Sequence, residues 1–147
     1  MEIKVKKLRE SAILPSRGSA LAAGYDLYAD PEQEAVIEPH ETVRIPTGLA
    51  MEIPQGYFGG IFARSGLAMK EGLRPANCVG VIDADYRGEI MVALHNDTEA
   101  ARRVSAGERV AQLVVLPFLE VEFALEDQLS DTARGEGGFG STGRSME

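Results

Sequence analysis

The sequence predicts an all-β domain of the sandwich or jelly-roll class with one short helix. Short runs of β-branched and aromatic residues recur along most of the chain, and turn-forming Gly, Pro, Asn and Asp residues separate them at close spacing. Only one segment has the pattern of a helix. Alternating strands and long helices, which would indicate βαβ units, are not part of this pattern. A sandwich or barrel of short strands is therefore the favoured architecture.

The first half of the chain predicts an edge strand followed by a series of short strands. Ile3 and Val5 alternate with lysines, which is typical of an edge strand whose charges discourage unwanted pairing. Residues 15–23 form a loop rich in Ser, Gly and Ala. Each further strand is a short apolar or β-branched run bounded by turn residues. These strands are predicted at 25–28, 35–37, 42–45, 49–53 and 57–63.

One segment after these strands has the features of a helix. Ser65 is placed to cap its first turn, and Gly72 is the residue type at which helices commonly end. Leu, Ala, Met and Lys side chains lie between them. The sequence therefore predicts one or two helical turns.

The stretch from Asn77 to Gly88, Asn-Cys-Val-Gly-Val-Ile-Asp-Ala-Asp-Tyr-Arg-Gly, predicts a hairpin. Its first half is apolar and β-branched, and if the strand persists through Asp85, Asp83 and Asp85 lie on one face. Residues 85–88 then have the composition of a β-turn, and a second strand is predicted at 89–95. A structural alternative is that both carboxylates only cap the turn.

The last part of the chain divides into strand and tail. Strands are predicted at 109–116 and 121–125, and residues 1–125 are predicted to form one domain. Residues 126–147 lose the apolar periodicity and become Gly-rich, so we expect an arm that is mobile until a ligand is bound.

The arm contains Arg-Gly-Glu-Gly-Gly-Phe-Gly-Ser-Thr-Gly at 134–143. This run satisfies the G-x-G-x-x-G dinucleotide pattern, but no strand precedes it and too few residues follow for the helix that such a site requires. Successive glycines instead favour a nest of backbone N–H groups around an anion, to which Arg134, Ser141 and Thr142 add donors. Phe139 adds a flat aromatic face, so the pattern suggests a nucleotide. A solubilising tail would explain the glycines but not the residues between them.

Composition excludes several other classes of function. The chain has 147 residues and a net charge of −8, which argues against coating nucleic acid or an anionic membrane. Its single cysteine, Cys78, rules out an intramolecular disulfide and is interpreted as a packing residue of a strand. Two histidines argue against a His/Cys zinc site. The sequence has no signal-peptide core and no apolar run long enough for a bilayer, so we expect a cytoplasmic protein.

Three shorter segments carry polar residues in unusual places. Arg64 and Ser65 begin the predicted helix, where free N–H groups favour phosphate, although simple capping would explain Ser65. Asp26 lies in an otherwise apolar strand, and Gln112 lies among apolar residues where an amide needs partners. Each of these has a structural explanation when taken alone.

Taken together and in order, five segments resemble the trimeric dUTP diphosphatase (dUTPase) family. They are Ala-Gly-Tyr-Asp-Leu at 23–27, Arg-Ser-Gly-Leu-Ala at 64–68, the stretch 77–88, Arg-Val-Ala-Gln at 109–112, and 134–143. One departure is Ala63, where many relatives have proline. The resemblance implies a jelly-roll subunit, a homotrimer with sites shared between subunits, and hydrolysis of dUTP to dUMP and pyrophosphate with Mg²⁺. Such a reaction keeps uracil out of DNA and supplies dUMP for thymidylate synthesis.

The resemblance also implies a role for each matching residue. Asp83 would be the general base, and Asp26 would hold a water of a Mg²⁺ ion bound mainly to the triphosphate. Tyr86 would pack against deoxyribose and leave no room for a 2′-hydroxyl, Asn77 and nearby backbone would bind the uracil edge, and Phe139 would close over the base. The full substrate-binding set is Arg64, Ser65, Gly66, Asn77, Gly80, Ile82, Tyr86, Gln112, Arg134, Phe139, Gly140, Ser141 and Thr142.

Two alternatives stay open. One is a dCTP deaminase-like enzyme on the same scaffold, which needs a glutamate-based site. The other is a non-catalytic β trimer that senses a nucleotide, since a fold alone does not establish a function. In each case the expected ligand is a nucleotide, with no nucleic acid and no membrane as partner.

Overall fold

The structure is a computed structural model that describes residues 1–138. Strands dominate this part of the chain, which holds eleven of them and one short helix and confirms the predicted all-β, jelly-roll-like class. In chain order the elements are β1 Lys4–Lys7, β2 Tyr25–Tyr28, β3 Ala35–Ile37, β4 Thr42–Pro46, β5 Leu49–Glu52, β6 Tyr57–Phe62, α1 Ser65–Glu71, β7 Leu73–Pro75, β8 Gly80–Ile82, β9 Met91–Asn96, β10 Arg102–Val104 and β11 Arg109–Pro117.

The strands form antiparallel sheets around one apolar core. The largest sheet has the order β2-β11-β6-β8, a second has the order β4-β9-β7, and two further pairs are β1-β5 and β10-β3. Leu27, Ile37 and Leu94, from three different sheets, are completely buried in a single cluster. Each such side chain contributes about 1.5–3 kcal/mol relative to an exposed one. The core therefore joins the sheets and fixes the strands that carry the polar side chains described below.

The predicted hairpin around residues 77–95 is wrong. Strand β8 pairs with β6, whereas β9 pairs with β4 and β7, so the segment between them crosses from one sheet to another. The turn also comes two residues early, because the N–H of Tyr86 donates to the carbonyl oxygen of Asp83 at 3.2 Å. Consequently Asp83 and Asp85 do not share a strand face. After the turn, Val92 and Leu94 of β9 are buried in the core, and this burial determines which strands pair with β9.

The start of the same stretch also differs from the prediction. Residues 76–79 form a turn between β7 and β8, and Cys78 is exposed with a φ of 61°. Cys78 is therefore not a packing residue of a strand. The short strands β7 and β10 were not predicted, because each has only three residues and these include arginine, whereas the equally short β3 is entirely apolar.

The helix is confirmed at the expected place, with one change at its beginning. Arg64 occupies the N-cap position without a side-chain capping bond, and Ser65 is the first helical residue, so Ser65 does not cap the helix. Gly72 ends the helix as predicted, with a φ of 66° that favours glycine. The backbone entering the helix thus presents Arg64 and Ser65 side by side.

The predicted strand at 121–125 is wrong for a single chain. Strand β11 ends at Pro117, and residues 118–138 form no strand. The side chains of Phe123 and Leu125 are 93% and 99% exposed, since no other strand of residues 1–138 pairs with them. A strand requires a partner for its backbone groups, whatever its propensity. The division into 1–125 and 126–147 stays a prediction.

Among the residues that the structure describes, no helix is long and apolar enough to cross a bilayer.

Candidate active site

One cleft brings together the polar residues of three predicted segments. Asp26 comes from β2, Gln112 from β11, and Arg64, Ser65 and Gly66 come from the start of α1. The cleft has a volume of about 230 Å³. Its lining consists of Gly18, Ala22, Gly24, Asp26, Arg64, Ser65, Gly66 and Gln112. Cationic, hydroxyl and amide donors meeting in one concave place form a site suited to an oxyanion such as phosphate.

Asp26 fixes two arginines, of which Arg64 lines this cleft. Its carboxylate accepts hydrogen bonds from Arg64 Nε at 2.8 Å and from Arg109 Nη1 at 3.3 Å, and only 15% of the side chain is exposed. Each guanidinium keeps further N–H groups for a ligand, because one carboxylate cannot use all five donors of an arginine. Arg109 was not among the predicted site residues, although it begins the Arg-Val-Ala-Gln segment.

The same carboxylate is the predicted holder of a metal-bound water. Residues 1–138 contain no group of three or more His, Cys, Asp or Glu side chains placed to hold a metal ion. Mg²⁺ bound through substrate phosphates needs only one or two carboxylates and keeps several waters, and Asp26 retains lone pairs beside its two arginines. The donor set therefore fits an ion that arrives on a phosphorylated ligand, not one in a protein cage.

Gln112 is held in place by its neighbours. Its Nε2 donates to the carbonyl oxygen of Ala63 at 2.8 Å, which satisfies the half-buried amide as the sequence requires. A Cβ atom on Gly24 would collide with Oε1 of this amide, so only glycine fits at position 24. The bond to Ala63 ties β11 to the peptide that leads into Arg64.

A second cleft contains the predicted base and the predicted sugar-contacting residues. It measures about 280 Å³, and it shares no lining residue with the first cleft. Its lining consists of Arg44, Val81, Ile82, Asp83, Tyr86, Glu89 and Met91. Tyr86 donates its hydroxyl to the carbonyl oxygen of Glu89 at 2.9 Å. An apolar wall, an aromatic ring, two acidic residues and Arg44 thus border one space.

The carboxylate of Asp83 differs from that of Asp26 in its contacts. Asp83 lies at the exposed end of β8, and its side chain has no hydrogen bond or ion pair with any residue of 1–138. The Asp83 carboxylate is therefore open to a hydrogen bond from a water molecule, whereas the Asp26 carboxylate is engaged by two guanidinium groups. The resemblance implies different roles for the two residues, and these roles stay predictions.

Three other predicted residues lie outside both clefts. Asn77 is exposed in the turn before β8, and a Cβ on Gly80 would lie 3.4 Å from Asn77 Nδ2, so the amide sits over this glycine. Arg134 is exposed and donates from Nε to the carbonyl oxygen of Gly137 at 2.7 Å, within a local turn. The predicted residues Phe139, Gly140, Ser141 and Thr142 lie outside the described residues.

Comparison with known proteins gives one consistent family. The dUTPase family model matches residues 10–143. The deoxyuridine 5'-triphosphate nucleotidohydrolase of Desulfitobacterium hafniense is 51% identical over 97% of both chains, and that of a Hydrogenobaculum species is 48% identical over 97% of this chain and 99% of its own. Among solved structures, the dUTPase of Staphylococcus bacteriophage 80alpha with dUPNHPP has a TM-score of 0.89 at 32% identity and covers 97% of this chain and 98% of its own.

Proposed function

The chain belongs to the dUTPase family, and from this premise we propose that it hydrolyses dUTP to dUMP and pyrophosphate. The single observation that carries the chemistry is the unpaired Asp83 carboxylate, which shares a cleft with Tyr86 and Ile82. Asp83 thus supplies a base, and the neighbouring side chains of Tyr86 and Ile82 form a surface suited to a sugar. Removal of dUTP keeps uracil out of DNA, and the product dUMP supplies thymidylate synthesis.

Asp83 acts as the general base in the proposed mechanism. It orients a water molecule and takes its proton as the water oxygen attacks the α-phosphorus, in line with the departing pyrophosphate. A positioned carboxylate typically accelerates a reaction about 10²–10⁴-fold. Most of the rate enhancement must therefore come from alignment and from stabilisation of negative charge.

The cleft around Asp26 supplies that stabilisation. Arg64 binds triphosphate oxygens with the N–H groups that Asp26 does not use, and Ser65 and Gln112 add neutral donors. Arg109, which the same carboxylate orients, adds a second cation. When bound, Mg²⁺ neutralises charge on the phosphate oxygens. Asp26 is the residue that would hold one of its waters. The arm residues Arg134, Gly140, Ser141 and Thr142 complete the phosphate site, and Gly66 lies at its edge.

The second cleft selects the nucleoside. The ring of Tyr86 packs against deoxyribose and excludes a 2′-hydroxyl by lack of space. Asn77, Gly80 and the backbone near Ile82 bind the uracil edge. Phe139 closes over the base, where stacking contributes roughly 1–3 kcal/mol. Ordering of the arm is thereby coupled to the presence of the correct nucleotide.

We infer a homotrimer with shared sites. The clefts of Asp83 and Asp26 have no lining residue in common within one chain, which supports a site completed by surfaces of more than one copy. In addition, Leu119, Phe123 and Leu125 alternate along an exposed segment that has no strand partner among residues 1–138. Such a segment favours pairing with another copy of the chain.

Release of pyrophosphate from dUTP is the experiment that tests this function. We expect Mg²⁺-dependent release from dUTP and little from UTP or dCTP, with chelator-treated enzyme as control. Ammonia released from dCTP would instead support the deaminase-like alternative. Tight binding of dUTP without any turnover would support a nucleotide sensor. Either result would contradict the proposal.

A further inference from the structure

A chain of hydrogen bonds links the hydroxyl of Tyr86 to the buried carboxylate of Asp30. The tyrosine hydroxyl donates to the carbonyl oxygen of Glu89 at 2.9 Å. The Glu89 carboxylate accepts from Arg9 Nη2 at 2.6 Å and from the N–H of Gly48 at 2.8 Å. Arg9 Nε in turn donates to Asp30 Oδ2 at 2.9 Å. These hydrogen bonds therefore connect Tyr86 to the segments that carry Arg9, Asp30 and Gly48, which are distant from it in sequence.

The two carboxylates of this chain of contacts are largely shielded from water. The side chains of Asp30 and Glu89 are only 6% and 18% exposed, and that of Arg9 is 33% exposed. Hydrogen bonds to Glu89, together with those to Asp30, raise the pKa of Arg9 above its ordinary value despite the opposing effect of burial. Charge-assisted bonds in a low-dielectric place are strong and keep a narrow geometry.

The backbone around these side chains is also tightly fixed. Gly48 has a φ of 68°, and a Cβ there would collide with Asp30 Oδ2 and with Ala12. The N–H of Leu8 donates to the Gly48 carbonyl oxygen at 2.7 Å, so the turn that carries Arg9 is bound to the same loop. Movement of Glu89 would therefore break contacts to more than one segment.

We propose that Arg9 and Glu89 are positioning residues that fix Tyr86 and thereby set the discrimination between deoxyribose and ribose. This inference rests on the proposed function of the Tyr86 cleft. Neither residue was singled out by the sequence, and Arg9 does not line the cleft. Both act through the tyrosine: Glu89 lines the cleft, but its carboxylate is engaged by Arg9 and by the Gly48 N–H.

A side chain that borders a binding cleft excludes an added hydroxyl group on the ligand only when that side chain cannot move aside. Close packing around an isostere with one extra hydroxyl gives about 10²-fold discrimination, and a wall that yields gives less. Tyr86 is 42% exposed, so its ring has open space into which it can move. The bond from its hydroxyl to Glu89, and the fixed position of Glu89, oppose that movement.

The decisive measurement is the ratio of kcat/KM for dUTP to kcat/KM for UTP in Arg9→Met and Glu89→Gln. We expect each change to lower the ratio roughly tenfold, mainly by raising the value for UTP. Glu89→Gln keeps an acceptor for the Gly48 N–H, so it provides the test if Arg9→Met does not fold. Arg74→Met is the matched control, since it breaks the Arg74–Asp97 pair near the opposite end of β9 and should leave the ratio unchanged.

A double-mutant comparison separates positioning from general loss of stability. Tyr86→Phe removes the hydroxyl that reaches Glu89 while it keeps the ring. If Arg9 acts through Tyr86, Arg9→Met combined with Tyr86→Phe should relax selectivity no more than Tyr86→Phe alone. Independent, multiplying effects of the two changes would overturn the proposal.

Hydrogen exchange supplies a readout that does not depend on turnover. In the intact chain we expect the amides of residues 83–90 to exchange faster in Arg9→Met than in the unmodified protein, and to be unaffected in Arg74→Met. Should the unmodified protein fail to hydrolyse dUTP, the proposed function fails while this measurement still tests the positioning role. Unchanged exchange at 83–90, or an unchanged dUTP-to-UTP ratio in both variants, would disprove it.

Discussion

At the scale of single residues, the two aspartates of the candidate site differ in what surrounds their carboxylates. Asp26 is largely buried and accepts hydrogen bonds from Arg64 and Arg109. Asp83 is exposed at the end of β8 and has no partner within residues 1–138. Identical side chains thus have different contacts: one carboxylate holds two arginines, and the other is open to a water molecule.

Replacing Asp83 with asparagine tests the second of these roles. Asp83→Asn keeps the size of the side chain but removes the base, so kcat for dUTP should fall by about 10²–10⁴-fold while dUTP still binds. Initial-rate kinetics and calorimetric binding measure the two effects. Asp85→Asn, two residues further along the same exposed turn, is the control and should keep most of its activity. Near-normal turnover of Asp83→Asn would eliminate Asp83 as the base.

A different carboxylate predicts a pH effect on stability. Arg74 donates two hydrogen bonds to Asp97, at 2.6 and 3.0 Å, and these lower the pKa of Asp97 below its ordinary value of 3.8. Because the folded pKa is the lower one, the pair stabilises the folded state above pH 3.8 and loses this contribution as the pH falls through the folded pKa.

The expected outcome is a pH-dependent difference between two proteins. Arg74→Met should unfold at lower urea concentration than the unmodified chain at pH 7, and the difference should shrink below about pH 4. The effect will be modest, since both side chains are largely solvent-accessible. A difference that stays constant from pH 7 to pH 3 would show that the lost packing of Arg74, and not the ion pair, is responsible.

At the scale of elements, the sequence predicts strands well and their partners poorly. Residues 109–116 were correctly predicted as strand, because β11 carries a long apolar run from Val110 to Leu116 that only Gln112 interrupts. The prediction of a hairpin at 77–95 failed, since local composition describes a turn but not the sheet to which each arm belongs. Burial of Val92 and Leu94 decides that question, and burial depends on the whole fold.

The same limit applies to the candidate site. Sequence patterns predicted Asp26, Arg64 and Gln112, and the fold brings these three into one cleft. They did not predict that Asp83 faces a different cleft, because the distance between segments is a tertiary property. Arg9 and Glu89 were missed for a similar reason: each is an ordinary charged residue until the fold joins them across 80 positions.

The C-terminal arm gives a prediction about one element. Deleting residues 130–147 should leave the fold intact, since residues 118–138 form no strand and contribute no buried core residue. Activity should fall severely, because Arg134, Phe139, Ser141 and Thr142 are removed together. Circular dichroism and the pyrophosphate assay measure the two properties.

A shorter deletion is the control for the arm. Removing only residues 144–147 shortens the tail but spares the Gly-rich motif, so activity should be retained. Full activity of the chain that lacks 130–147 would contradict a role of the arm in completing the site.

At the scale of the whole molecule, the proposed function depends on more than one chain. The Asp83 carboxylate lies in one cleft and Arg64 lies in another, and the two clefts share no lining residue. In a closed ring of three copies, the Asp83 cleft of one subunit can face the Arg64 cleft of its neighbour at three equivalent boundaries. Light scattering of the purified protein should accordingly give a trimer.

Mixing two inactive variants tests the shared site directly. Asp83→Asn chains keep Arg64, and Arg64→Ala chains keep Asp83, so either homotrimer lacks a complete site. A mixed trimer of either composition contains one boundary at which an intact Asp83 meets an intact Arg64. Random assembly from equal amounts makes three quarters of the trimers mixed, which predicts roughly a quarter of the unmodified activity. Sites built within one chain would give no recovery, because no chain in the mixture carries both residues. Mixing the two preformed homotrimers without unfolding them should also leave activity low, and this control attributes any recovery to exchange of subunits.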